Sequence, residues 1–321
     1  MRSFGTNTKN MMFGFIIQSM TETKLLYTKG DGMFHEGSID IPELNHNQIR
    51  VKNIMTGVCR SDVDMMLGKF KTLPLSMQGH EGLGQVTQVG SEVNDVQVGD
   101  FVATRGEPAY ADQYNCNSET YVKVPTADPK YIVEPVACGI NVIKQFETAI
   151  KNKAGNNNRL LIIGSGFLSY VVYTYLQIKN YQFDVTVLGN HNKEFWDDKL
   201  THNAEGLFDV IIDLNTKSEV FDRNMFNAEA LLILAAEKTD SVRTNFAHLL
   251  WNAVTVGFPS PRNKKFIECM REAVDFISTG KLDVSNFWTK GYSRSTQWRD
   301  AFADAVNRSN NYARGYIDWR K

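Results

Sequence analysis

The pattern of apolar and polar positions changes near residue 158. Before that point, short runs at residues 49–58, 82–90 and 100–105 alternate or carry β-branched side chains between clusters of Gly, Asn and Asp. Such runs are typical of β-strands bounded by turns. The first part of the chain is therefore predicted to be a twisted, mostly β domain.

The second part carries continuous apolar runs that follow a polar turn. They lie at residues 160–167, 185–190, 208–214, 229–236 and 252–258. Continuous runs separated by segments of helical length, such as residues 167–179, indicate a parallel sheet covered on both faces. The predicted fold class is α/β, with a doubly wound parallel sheet in this part.

Two amphipathic helices are predicted after this sheet, at residues 266–281 and 297–308. The first has apolar side chains at helical spacing, namely Ile267, Met270, Val274 and Ile277. Gly280 is placed to end that helix.

Composition narrows the class of protein. The 321 residues are 42% apolar and 22% charged, with a formal net charge of −1. This balance favours a globular protein and gives no basic surface for a nucleic-acid or membrane partner. No apolar run approaches the ~18 residues that span a bilayer. Residues 1–20 have a patch broken by Gly14 and lack a small-residue cleavage site, so no signal peptide is expected.

The cysteines indicate the compartment. Cys59, Cys116, Cys138 and Cys269 form no closely spaced pair. This usage fits a reducing cytoplasm better than a disulfide scaffold. The chain is therefore expected to be cytoplasmic.

A glycine motif follows the first strand of the predicted sheet. In "LLIIGSGFLSYVV", Gly164-x-Gly166-x-x-Ser169 leads directly into a helix. Gly164 permits a tight turn, Gly166 lets the backbone approach a pyrophosphate, and the helix N-terminus faces the phosphate charge. An ordinary strand-to-helix turn is the alternative. The predicted cofactor contacts here are Gly164, Ser165, Gly166, Phe167 and Leu168.

The end of the second strand bears on the choice of cofactor. NAD-selecting sites usually place Asp or Glu there, whereas this chain has Gly189 and Asn190, followed by His191 and Lys193. A missing carboxylate removes repulsion against a 2′-phosphate, and a nearby cation attracts it. Asn190, His191 and Lys193 are therefore predicted cofactor contacts, with NADP favoured over NAD. A polar surface loop is the alternative interpretation.

A possible metal site lies in the first part of the chain. Cys59 precedes the adjacent pair His80–Glu81 by twenty-one residues in "GVCRSDVDMMLGKFKTLPLSMQGHEG". Thiol, imidazole and carboxylate are all zinc ligands. One Cys and one His-Glu pair are nevertheless common by chance, so ordinary core and turn residues remain the alternative on this stretch alone.

Taken in order, four stretches of the chain resemble the zinc-dependent medium-chain dehydrogenases, which include alcohol, sorbitol and threonine dehydrogenases. They are "GVCRSD", "GHEGLGQVTQVGSEVNDVQVGDFV", "EPVACG" and "LIIGSG". The resemblance extends from about residue 24 to the end. It implies a GroES-like catalytic domain at residues 1–138, a dinucleotide-binding (Rossmann) domain at 139–260, and a return to the catalytic domain at 261–321.

The resemblance also implies a third metal ligand. Glu134 matches the position at which sorbitol-type members carry a Glu, so Cys59, His80 and Glu134 would hold a catalytic zinc. Glu81 beside them would be an alternating or outer carboxylate. Three protein ligands leave one coordination position open for substrate or water. Cys116 is the lone cysteine between residues 100 and 130, so the family's structural zinc is expected to be absent, which leaves one zinc per chain.

Further roles carry over by position. Ser61 matches the hydroxyl that bonds the substrate oxygen and passes its proton on, and Arg60 matches a residue near the cofactor pyrophosphate. Asp62 matches the carboxylate that orients His80. Asp64 stands where alcohol dehydrogenases often end their proton relay in a His, so the proton must leave by another route.

The resemblance also bears on Cys138 and on the length of the cofactor domain. Cys138 lies against the nicotinamide, or else it is a small buried apolar residue. The segment between the second strand and residue 208 is short for the family, which indicates that the cofactor sheet has lost a strand-helix unit. Residues 284–296 should line part of the substrate pocket, with packing between domains as the alternative.

The expected function follows from these parts. The chain is predicted to be a zinc-dependent oxidoreductase that transfers hydride between an alcohol or polyol, or the matching carbonyl, and NAD(P). Its catalytic residues would be Ser61, Cys59, His80 and Glu81, and it would form a homodimer or homotetramer. The alternatives are a zinc-free NADPH-dependent reductase of the same fold and a non-enzyme, namely a nucleotide-binding sensor or structural protein.

Overall fold

The computed structural model describes residues 21–217, 219–222, 224–238, 246–308 and 312–321. The segment on which a signal peptide is rejected, residues 1–20, lies outside the described residues. The strands are β1 (Thr21–Thr28), β2 (Phe34–Ile41), β3 (Gln48–Gly57), β4 (Gly82–Val89), β5 (Phe101–Thr104), β6 (Gln113–Asn117), β7 (Tyr121–Val124), β8 (Arg159–Ile163), β9 (Asp184–Leu188), β10 (Leu200–Thr201), β11 (Phe208–Asp213), β12 (Phe226–Leu234), β13 (Thr255–Gly257), β14 (Trp288–Ser293) and β15 (Arg314–Asp318). The α-helices are α1 (Arg60–Met66), α2 (Glu134–Lys144), α3 (Glu147–Lys153), α4 (Phe167–Ile178), α5 (Ala247–Trp251), α6 (Phe266–Ser278) and α7 (Trp298–Asn307).

The larger sheet combines strands from the first part of the chain with the two last strands. Its strand order is β14-β15-β3-β4-β5-β7, and β6 pairs with β3 outside this path. β15 runs antiparallel to β3, with Ile317 opposite Thr56. The C-terminal strands therefore return to the sheet that the first part of the chain begins.

The second sheet is parallel, as the continuous apolar runs predict. Its order is β10-β9-β8-β11-β12-β13, and every neighbouring pair is parallel. The chain moves from β8 to one side of the sheet and then returns to β11 on the other. The crevice at the carboxyl ends of β8 and β11 is thus the topological switch point, where such sheets bind ligands. Gly164 lies there, directly after β8.

Both faces of this sheet are covered, although by different means. The helices α2 and α4 pack on one face, where Leu160 and Ile162 are fully buried. The other face is covered by a 3-10 turn at Glu219–Asp222 and by Leu249 of α5.

The connection from β9 to β11 is shortened, and every residue in it is described. Residues 189–207 contain two single-turn 3-10 helices, Lys193–Phe195 and Asp197–Lys199, and the two-residue strand β10. They contain no α-helix. The connection is short, as expected, but β10 still extends the sheet to six strands. The loss of a strand-helix unit therefore stays a prediction. Trp196 fills the space, with 1% of its surface exposed.

Two helices differ from the sequence prediction. The buried stripe of α6 is rotated, because Met270 and Ile277 are buried while Ile267 and Val274 are only partly covered. The helix α2 was not anticipated, although Pro135 in its first turn and its apolar spacing indicate one. In the part of the chain that the structure describes, no helix has the length and apolar character needed to cross a bilayer.

Candidate functional site

The side chains of Cys59, His80 and Glu81 converge in the structure. One potential ligand atom from each lies within 4.8 Å of the others. Cys59 directly precedes α1, and His80 and Glu81 directly precede β4, so the pairing of β3 with β4 brings them together. Gly57 N donates to Glu81 O at 2.9 Å, and a Cβ on Gly57 would lie 2.1 Å from Glu81 Oε2. Glycine at residue 57 is therefore required for this approach.

Glu81 is fully buried, and one of its two carboxylate oxygens has a partner. Its Oε2 pairs with Nη2 of Arg314, which comes from β15. Its Oε1 is buried without a hydrogen-bond partner among the described residues. Burial works to lower the pKa of Arg314, but Glu81 and Cys59 outweigh burial and raise it. A buried carboxylate oxygen without a partner is costly, and a cation would satisfy it.

Asp62, the residue predicted to orient His80, lies near the imidazole. Its Oδ1 is 3.8 Å from His80 Nδ1, and the hydroxyl of Tyr110 donates to its Oδ2 at 2.8 Å. Burial disfavours charge on His80, but the negative groups of Asp62 and Cys59 outweigh burial and raise the pKa of the imidazole. The tyrosine fixes the carboxylate, and the carboxylate faces the ring.

Ser61 and Cys59 are neighbours at the start of α1. The Ser61 hydroxyl donates to Cys59 Sγ at 3.3 Å. Burial and the charge of Glu81 raise the pKa of the Cys59 thiol. Metal binding to this thiol would therefore release a proton.

Glu134 lies at the start of α2 and belongs to a second pair. It is 3% exposed, and its Oε1 is 3.6 Å from Arg105 Nε. The Cys138 thiol donates to the same oxygen at 3.5 Å, so Cys138 contacts Glu134 one helical turn away. Burial raises the pKa of Glu134, against the opposing effect of His80. Glu134 is not part of the close group of three.

Asp64 is held by two cations. Arg60 Nη2 lies 3.0 Å and Lys69 Nζ 2.7 Å from its Oδ1, and Asp64 is 2% exposed. The carboxylate thus fixes Arg60, the residue predicted to approach a cofactor pyrophosphate.

The glycine loop has the conformation that the sequence predicts. Gly164 has φ +111°, in the region that favours glycine. A Cβ on Gly166 would meet nothing within 4 Å, so the space over this backbone is open. Phe167 is buried and its ring lies 4.8 Å from the Arg314 guanidinium, while Leu168 is partly buried. Arg314 therefore joins the glycine loop to Glu81.

The region after β9 packs against the same loop. A Cβ on Gly189 would lie 2.4 Å from Ser165 Oγ, so no carboxylate fits at that residue. His191 N donates to Ser165 Oγ at 3.2 Å. The side chains of His191 and Lys193 are exposed. Asn190 is exposed, and its Oδ1 is 2.6 Å from His202 Nδ1. His202 adds a second imidazole to this region.

Several side chains in the segment at residues 284–296 pack against other parts of the protein. Phe287 is fully buried and stacks on Phe195 with ring centroids 4.2 Å apart. The Tyr292 hydroxyl donates to Asp304 at 2.6 Å, and Arg294 pairs with Glu36 at 2.7 Å. These contacts favour the packing alternative over a substrate pocket.

Three residues near the site escaped the sequence prediction: Arg105, Arg314 and His202. The two arginines come from segments distant from their partners, and Arg314 is 233 residues from Glu81. No local pattern marks such a pair, because the pairing of β15 with β3 creates it. His202 could have been found, since a second histidine lies in the same short polar connection as His191.

Known proteins resemble this chain in sequence and in fold. Residues 45–175 match the model of the alcohol dehydrogenase GroES-like domain. D-arabinitol dehydrogenase 1 of Uromyces fabae is 24% identical over 310 residues, which cover 79% of this chain and 85% of that protein. A structure described as a short chain alcohol dehydrogenase from E. coli CFT073, complexed with NADH, superposes with a TM-score of 0.75 at 15% identity. It covers 93% of this chain and 99% of that one. A putative zinc-binding dehydrogenase from Sinorhizobium meliloti 1021, bound to NADP, gives 0.71 at 15% identity with the same coverage.

Fold and relatives together show a GroES-like domain followed by a parallel sheet with a glycine loop at its switch point, the arrangement found in solved dehydrogenases. The chain is thus similar over residues 45–175 to the alcohol dehydrogenase GroES-like domain, and over most of its length to solved dehydrogenases in fold.

Proposed function

We propose that the chain is a zinc-dependent dehydrogenase that transfers hydride between an alcohol or polyol, or the matching carbonyl, and NAD(P). The observation that carries this proposal is the convergence of Cys59, His80 and Glu81 beside the glycine loop, with Arg314 touching both. The relative named for D-arabinitol supports a polyol among the candidate substrates.

The donor set fits zinc. A thiol, an imidazole and a carboxylate with a free buried oxygen converge, and the charge of Glu134 acts on the neighbouring His80. Bound there, zinc would act as a Lewis acid toward the substrate oxygen. Cys116 is buried in the apolar core, and β5 leads to β6 in eight residues, so we propose one zinc per chain.

The chain's own residues would hold the substrate and move its proton. The Ser61 hydroxyl, 3.3 Å from Cys59 Sγ, would bond the substrate oxygen and accept its proton. Asp62 would orient His80. Asp64 is occupied by Arg60 and Lys69, which supports a proton exit that does not use this carboxylate. Cys138 would lie against the nicotinamide.

Two alternative functions can be distinguished from this proposal by experiment. A zinc-free reductase of this fold has no need of the Cys59, His80 and Glu81 group. A nucleotide-binding sensor or structural protein would bind cofactor without turnover. The test is a metal assay on the purified chain with a screen of alcohols and polyols against both cofactors. Zinc content with turnover supports the proposal, whereas cofactor binding without turnover of any substrate favours the non-enzyme.

We expect tighter binding of NADP(H) than NAD(H), because the exposed Asn190, His191, Lys193 and His202 surround the end of β9. Asn190→Asp should weaken NADPH binding about tenfold or more and strengthen NADH binding, since a carboxylate repels the 2′-phosphate and bonds a bare ribose. Titration of both cofactors with the same preparation measures this. Asn190→Ala removes the His202 contact without adding charge and should retain the preference for NADPH. Equal or reversed affinities in the wild type would contradict the expectation.

We also propose that the chain pairs through its cofactor domain, in a dimer or tetramer. The edge strand β13 is preceded in the chain by the exposed side chains of Leu250 (76% exposed) and Trp251 (85%) and followed directly by that of Phe258 (69%). Exposed apolar patches mark protein interfaces. Trp251→Asp should shift the chain to monomers in sedimentation velocity, whereas Trp251→Phe should leave assembly intact. A monomeric wild type, or an unchanged Trp251→Asp assembly, would refute this pairing.

Two further expectations remain proposals. The domain boundaries at residues 138 and 260 are supported by the return of β14 and β15 to the first sheet. A reducing cytoplasmic location is supported by four cysteines that are all free.

A further inference from the structure

Two arginines each neutralise one carboxylate at the candidate metal site. Arg314 Nη2 pairs with Glu81 Oε2, and Arg105 Nε lies 3.6 Å from Glu134 Oε1. The arginine side chains are 12% and 20% exposed, and both carboxylates are buried. The two arginines come from distant parts of the chain, Arg105 directly after β5 and Arg314 at the start of β15.

The two carboxylates differ in the oxygen atoms that remain available to a metal. Glu81 keeps its Oε1 free and buried, in the close group with Cys59 and His80. Glu134 lies outside that group, and its Oε1 is engaged by both Arg105 and the Cys138 thiol. Three ligand atoms therefore converge without Glu134.

Arg105 is placed to act on Glu134. It follows β5 directly, and its guanidinium lies 5.0 Å from the centre of the Phe266 ring. Its Nε is buried and has no hydrogen-bond partner among the described residues. The Arg105 guanidinium is therefore stabilised by the charge of Glu134 and by the face of the Phe266 ring.

We propose that Arg105 is a positioning residue that restrains Glu134. Cys59, His80 and Glu81 are then the direct protein ligands of the metal, and Glu134 is an outer carboxylate that reaches the metal only when it leaves Arg105. This inference rests on the metal site of the proposed function.

The test is a double-mutant cycle read by Co²⁺ binding to the metal-stripped full chain. The four proteins are the wild type, Glu134→Gln, Arg105→Met and the double variant. Removing the Glu134 charge should weaken Co²⁺ binding by about threefold to tenfold while Arg105 is present. In the Arg105→Met background the same change should cost about a hundredfold, because Glu134 is then free to bind the metal. The visible Co²⁺ spectrum should change in Arg105→Met and return in the double variant.

Two controls keep the result interpretable. Arg105→Lys retains the charge, so Glu134→Gln should cost as little in that background as in the wild type. Glu81→Gln should change the Co²⁺ spectrum and lower affinity about a hundredfold even with Arg105 intact. Dinucleotide binding confirms that each variant is folded.

Two outcomes would overturn the inference while leaving the proposed function in place. One is a hundredfold cost of Glu134→Gln in both backgrounds, which would make Glu134 a permanent ligand. The other is an equal, small cost in both, which would mean that Arg105 restrains nothing. A folded wild-type chain that binds no Co²⁺ would refute the proposed metal site and this inference together.

Discussion

Cys59→Ala and His80→Ala are each expected to abolish metal binding and turnover together. The loss of turnover should reach about a thousandfold or more, because Lewis-acid stabilisation contributes several kcal/mol and 1.4 kcal/mol corresponds to about tenfold. Dinucleotide binding should persist, since Gly164 and Gly166 lie in the other sheet's switch point. Metal analysis, steady-state kinetics and cofactor titration on one preparation measure all three.

Cys116→Ala is the matched control for this prediction. It removes a thiol of the same chain that is buried in the apolar core, away from the convergent group. Metal content and turnover should stay at wild-type levels. Loss of metal in Cys116→Ala, or full activity in a metal-free Cys59→Ala protein, would contradict the assignment.

Trp196→Ala is expected to have the largest effect on stability. The side chain is 1% exposed and packs on Tyr173, with ring centroids 5.8 Å apart. Its Nε1 also donates to Ser165 O at 3.1 Å, in the glycine loop. Truncation of a buried tryptophan costs about 3–5 kcal/mol, a large share of the 5–15 kcal/mol typical of a whole domain. Denaturant unfolding should show this loss, and the free loop should bind dinucleotide about tenfold more weakly.

Trp196→Phe separates packing from hydrogen bonding. It keeps most of the buried ring and removes only the donor, which costs about 1 kcal/mol. Asn192 Nδ2 still donates to Ser165 O at 3.0 Å, so cofactor affinity should change little. A Trp196→Ala protein as stable as the wild type would show that the shortened connection does not depend on this side chain.

The hydrophobic pattern predicts the parallel sheet because its strands are buried on both faces. Val210, Ile211 and Ile212 of β11 are all fully buried, so the strand needs continuous apolar residues. The same reasoning says little about helices that pack unevenly. The rotated stripe of α6 arises because Phe266 and Cys269 also turn toward the core.

The candidate site is predicted only in part. Cys59 and the pair His80–Glu81 can be recognised in the sequence because they lie within one short stretch. Cys59 directly precedes α1, and His80–Glu81 directly precede β4. The arginine partners cannot be recognised in this way, because Arg314 meets Glu81 only through a strand pairing between distant segments. Arg105 meets Glu134 only because α2 packs near the end of β5.

The end of β9 shows the same division. The sequence indicates the missing carboxylate, but the reason for Gly189 is the approach of Ser165, which only the folded loop creates. The shortened connection is visible from its length, whereas Trp196 as its packing element is not. Local chemistry is thus readable from the sequence, and long-range neutralisation of buried charge is not.

Metal analysis combined with removal and restoration tests the central claim most directly. The purified wild-type chain should contain close to one zinc per chain and oxidise an alcohol or polyol with NAD(P). A chelator should remove the metal and stop turnover, and added zinc should restore both. A stoichiometry near two, or turnover that persists in the metal-free protein, would contradict the account.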